Sequence, residues 1–151
     1  MKNKILYPTK AQTAGRITLG IFFIFTGTAH LTTVRKAFLA HEPNWVPIDA
    51  DKVVILSGVV EIMLGASSLF LSKQRTTVGW LIALFLVAVF PVNIAQLANH
   101  NYGFGLNFDL MLWLTLLFQL LLIILVLVST GAWGEWRNKR NFKHQVQPTL
   151  Q

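Results

Sequence analysis

Between Arg16 and Arg35 the chain runs for 18 residues, Ile17 to Val34, without a charged side chain. A helix of that length extends about 27 Å at about 1.5 Å per residue, close to the hydrocarbon thickness of a bilayer. Three comparable runs follow. Val53 to Leu71 is interrupted by one carboxylate, Glu61; Val78 to Ala98 carries none; Leu110 to Ser129 begins directly after Asp109. Soluble domains hold about a quarter charged residues, whereas this chain holds 13% against 54% hydrophobic. That leaves too little polar surface for an ordinary water-soluble fold. The pattern predicts an all-α, integral membrane four-helix bundle forming one domain over residues 1–151, with spans near 15–33, 53–71, 78–98 and 109–129.

The first run follows a basic start, as a signal peptide does, but it is longer than the usual apolar region and lacks a small-residue cleavage pattern, so it belongs to the mature chain. The longest connection, from about Thr33 to Lys52, contains Pro43, Trp45 and Pro47. Its prolines stop a long helix, and Trp45 suits the headgroup zone. Ser72 to Thr77 is a tight polar hairpin. Past Ser129 the sequence becomes basic and polar with no apolar period, so residues 134–151 read as a mobile tail that also attracts anionic lipid.

Charge placement sets an orientation. One side of the four crossings receives Lys2, Lys4, Lys10, Arg16, Lys73, Arg75, Arg137, Lys139, Arg140 and Lys143, ten in all, against Arg35, Lys36 and Lys52 on the other. The positive-inside rule places both termini in the cytoplasm. The net charge of +7 is thus gathered in clumps at the membrane faces rather than on a basic face over a soluble core, which excludes a nucleic-acid binder. The chain has no cysteine. Thiolate nucleophiles, Cys-ligated metals and disulfide exchange are excluded, so any redox role needs a cofactor or a partner.

An ionisable residue within a span is costly unless it faces protein or water, which singles out Glu61. Ser57, Gly58, Gly65 and Ser68 share its helical face, and such small residues let a second helix approach closely. Gly20, Gly27 and His30 form a similar stripe on the first span, with Thr26 nearby. Asn93 and Gln96 lie three apart on the third, just after Pro91, which cannot donate to the Val87 carbonyl and predicts a kink with a free acceptor. Thr115 and Gln119 lie one turn apart on the fourth. In the cytoplasmic-termini topology all these groups fall in the outer half, Glu61 about 12 Å and Gln119 about 15 Å below the boundary. The inner half is aliphatic and aromatic. An outward-facing pocket between the four helices is therefore expected, lined by Glu61, His30, Asn93, Gln96, Gln119, Thr115 and Thr26 and covered by the Trp45 segment. Each group also has a structural reading, as interhelical hydrogen-bond glue, a helix-boundary residue or, for Glu61, an acid paired with one of the amides. No bis-histidine haem pair or metal site is assigned: His41 and His100 fall in connections and His144 in the tail.

Five segments carry a resemblance. They are Gly27 to Leu31 (GTAHL), Pro43 to Pro47 (P-x-W-x-P), SGVVEIMLG around Glu61, Phe90 to Gln96 (FPVNIAQ), and Leu112 to Gln119 (LWLTLLFQ). In this order and spacing, over roughly residues 14–133, the chain resembles the DoxX-like family of small four-helix membrane proteins. Two positions depart from the family pattern: Thr115 stands where an arginine is common, and Leu120 where a proline is. If that arginine pairs with the family's buried glutamate, Glu61 has lost the partner, which favours protonation of an unpaired acid in an apolar bundle.

The resemblance implies a bacterial inner-membrane protein, with relatives linked to quinone-dependent oxidation of sulfur compounds, to oxidative or thiol stress, or to receptor assembly. Two functions remain open. One is a redox-associated subunit, without complete catalysis of its own, whose pocket takes a quinone or another small apolar ligand and which works with a membrane or peripheral oxidoreductase. The other is a non-enzymatic scaffold or assembly factor whose small-residue stripes bind partner helices, including those of a homo-oligomer. Proton-coupled transport ranks below both, because one intramembrane carboxylate offers no path through the apolar inner half.

Overall fold

The computed structural model describes residues 7–32, 49–98 and 109–146. Among them are five α-helices: α1 (Lys10–Leu31), α2 (Ala50–Phe70), α3 (Arg75–Ala98), α4 (Asp109–Ser129) and α5 (Ala132–Val146), with a single 3-10 turn, Ser72–Gln74, between α2 and α3. Four of these regions are long and apolar enough to cross a membrane. The architecture is that of a multi-pass membrane protein, and the four expected spans coincide with α1 to α4.

Local chemistry moves two boundaries outward. Thr9 and Gln12 form a reciprocal cap in which the Gln12 amide donates to Thr9 Oγ1 (3.1 Å) and the Thr9 amide to Gln12 Oε1 (3.0 Å). Two helix-end donors are satisfied at once, so α1 starts at Lys10 instead of near residue 15. At α2 the Asp49 carboxylate accepts from the amides of Asp51 and Lys52 and starts the helix at Ala50. The other end of the bundle is closed by Gly131, which adopts φ +76° just after α4 and turns the chain into α5. The sequence reading places no element there. The segment 132–146 is helical although it lacks an apolar period.

α1 and α2 pair most extensively, then α3 and α4; α1 also packs on α4, and α2 on α3. All four contacts are antiparallel. Along the first seam Gly20 faces Gly65 and Gly27 faces Gly58, so position rises by seven on one helix as it falls by seven on the other. Across α1 and α4 the same sense holds, since Gln12 donates to the Val128 carbonyl (3.0 Å) and the Phe22 ring meets Phe118 edge-on. Leu19, Phe23, Val78, Ile82, Leu86, Leu122 and Val126 form the packed core, drawn from α1, α3 and α4. α2 joins chiefly through its glycine face. Large apolar side chains such as Phe25, Met63, Leu84 and Ile124 point outward, as expected where the surrounding medium is lipid.

Candidate functional site

The glycines position the site. A Cβ on Gly27 would stand 2.6 Å from the Gly58 carbonyl oxygen and 2.9 Å from Glu61 Cβ, and one on Gly58 would stand 2.9 Å from His30 Cβ. Contacts that short are not tolerated, so only glycine at both places lets the backbones approach. That approach brings His30, at the end of α1, against Glu61 on α2. His30 Nδ1 lies 3.3 Å from Glu61 Oε2, with the two side chains 14% and 13% exposed. The atoms are close enough for an ion pair, but their alignment is not that of a hydrogen bond, and Glu61 Oε2 has no hydrogen-bond partner among the described residues. The couple brings two ionisable side chains together in a half-buried setting. The partner of Glu61 is an imidazole rather than one of the amides.

The amides find each other. Gln119 is buried and joins α4 to α3 twice, donating to the Leu86 carbonyl (2.7 Å) and accepting from Asn93 Nδ2 (2.7 Å). Pro91 lies inside α3, which continues through it. The acceptor that Gln119 uses is the Leu86 carbonyl, one residue before the Val87 carbonyl expected from the missing proline N–H. This three-part link engages both ends of the Gln119 amide and ties α4 to α3.

The remaining expected pocket residues divide. Thr26 donates to carbonyls of its own helix, Phe22 and Phe23, both at 3.2 Å. Thr115 is exposed, whereas Gln119, one turn further along α4, is buried. The buried stripe of α4 runs through Leu112, Leu116, Gln119, Leu122 and Val126. Gln96 is on α3, with its side chain outside the description, and Trp45, His41 and His100 lie outside the described residues.

Sequence reasoning missed a second buried polar centre, at the opposite end. Arg16 is buried and donates through one guanidinium nitrogen to the carbonyls of Ser68 and, at 3.3 Å, Leu69, while Ser68 Oγ donates back to the Arg16 carbonyl at 3.2 Å. A cation at the C-terminal end of α2 meets its unpaired carbonyls and the negative end of the helix dipole. Ser129 and Thr130 are buried at this end too. The buried polar groups are thus not confined to the half of the bundle that contains Glu61. The signal in the sequence is an arginine inside the first turns of a span, where it can serve packing as well as orientation.

The family model for a domain of unknown function, DUF8561, matches residues 19–130. The chain belongs to the DUF8561 family. The DUF8561 segment contains the His30–Glu61 couple, both glycine pairs and the Gln119 link, whereas Arg16 and α5 lie outside it. No curated protein and no solved structure matches the chain.

Proposed function

We propose that this DUF8561 protein is a DoxX-like subunit of a redox system in the bacterial inner membrane, with both termini cytoplasmic and a polar pocket that takes a quinone or a similar small apolar ligand. The observation that carries the reading is the half-buried His30–Glu61 couple, two ionisable side chains 3.3 Å apart in the α1–α2 hairpin. Such pairs in spans mark ligand or proton sites by default. A quinone carbonyl accepts a hydrogen bond from either group when protonated, and the isoprenoid tail is compatible with the apolar outer faces of the helices. The ten-to-three charge distribution supports the orientation. With no cysteine in the chain, the electron chemistry comes from a bound cofactor or a partner oxidoreductase.

The packing argues against the scaffold alternative in the form expected from sequence. The small-residue stripes assigned to partner helices are consumed inside the α1–α2 seam. The test is extraction of the protein purified from native lipid, followed by titration with added quinone. Copurified quinone, or saturable affinity for it, supports the proposal; absence of both overturns it.

A further inference from the structure

α5 has fifteen residues and carries Glu135, Arg137, Lys139, Arg140 and Lys143. At about 22 Å with that many charges it is too short and too polar to span. It leaves the bundle through the Gly131 turn, contacts α3 and α4, and buries Ala132 completely. Its root is therefore held at the bundle end that carries Lys10, Lys73 and Arg75.

The charges on α5 are sorted by face. Glu135 accepts from Lys139 at 2.7 Å one helical turn away, and its carboxyl is held below the ordinary value by Lys139, with further contributions from Thr76 and Arg75. The one acid of the helix is thus engaged. Trp133, Trp136, Arg137 and Arg140, at spacings of three and four, share another face. Trp133 and Trp136 are both exposed, with ring centroids 5.1 Å apart. The Arg140 guanidinium lies over the Trp136 ring at 4.7 Å, an arrangement that leaves its in-plane N–H donors directed sideways.

Exposed indoles this close to the last apolar turn of α4 belong at headgroup depth, where the ring has an apolar body and a polar N–H to satisfy. Two arginines beside them, on a face without a carboxylate, complement phosphate. We propose that α5 is an interfacial helix whose Trp133–Trp136–Arg137–Arg140 face binds the headgroups of anionic phospholipid in the leaflet at this end of the bundle. Charge complementarity and continuity with the four spans identify the occupant. The inference stands independently of the ligand at Glu61.

The experiment is native mass spectrometry of the full chain in mild detergent with equal phosphatidylglycerol and phosphatidylcholine. The wild-type protein is expected to retain phosphatidylglycerol preferentially. In R137Q/R140Q that preference should fall by roughly tenfold or more, while R137K/R140K keeps most of it and K52Q, at the other end, keeps all of it. Thermal unfolding of each variant shows that the bundle is intact. Equal retention of both lipids by the wild-type protein, or an unchanged preference in R137Q/R140Q, would overturn the proposal.

Discussion

Gly27 and Gly58 face each other so closely that neither position has room for a methyl group: a Cβ on Gly27 would meet the Gly58 carbonyl oxygen at 2.6 Å, and one on Gly58 the Gly27 carbonyl oxygen at 2.9 Å. With Gly20 and Gly65 two turns away, they define a seam in which backbone packs on backbone. In lipid, where apolar burial offers little between helices, such close van der Waals contact is a main source of association. The seam also sets the distance between His30 and Glu61, so packing and site depend on the same atoms.

Gly27→Ala should therefore destabilise the protein by about 1–3 kcal/mol, the usual cost of overpacking a tight contact. Gly134→Ala provides the contrast, because a Cβ there meets nothing within 4 Å and alanine is the better helix former. Thermal unfolding in detergent should show a lower Tm for the first and an unchanged or slightly higher one for the second.

Gln119→Leu removes both bonds from α4 to α3 and should cost about 1 kcal/mol, in the range of interhelical hydrogen bonds measured in membranes. Asn93→Leu removes only one of them and should cost less. The double variant should fall short of the sum of the single effects, a non-additivity that a double-mutant cycle in a reversible unfolding assay reads directly.

Glu135 gives a small pH dependence of known sign. Its hydrogen bond with Lys139 lowers the folded pKa below the ordinary 4.5, against an opposing effect of partial burial. A depressed folded value means that the stabilisation is fully present above the unfolded pKa and is lost as pH falls through the folded value. With both side chains substantially exposed, solvent screening keeps the effect small. Between about pH 6 and pH 3 the Tm of wild-type protein should fall slightly more than that of Glu135→Gln.

The four spans were legible because apolar runs of about eighteen residues or more with at most one charge have few alternatives in water or lipid. The start of α1 is set by the Thr9-x-x-Gln12 cap and not by the charge pattern that bounds the apolar run. α5 was missed for a different reason: a helix in the headgroup layer needs no apolar stripe. Glu61, His30, Asn93 and Gln119 were all identified as candidates, but their partners were not. The pairing of His30 with Glu61 follows from the antiparallel register of two glycine stripes, and a single sequence does not state which stripes meet. Arg16 shows the same limit. Its charge was visible, whereas the Ser68 carbonyl that receives it is fixed only by the fold.

In its proposed role the His30–Glu61 couple binds the polar end of a small apolar ligand. Its most direct test is a titration of the purified protein in lipid nanodiscs with a short-chain quinone, comparing the wild-type protein with Glu61→Gln at matched thermal stability. Saturable binding is expected for the wild-type protein, with affinity at least about tenfold weaker in the variant, the usual scale for a hydrogen bond to a charged group. No saturable binding by the wild-type protein, or equal affinity in both, would contradict it.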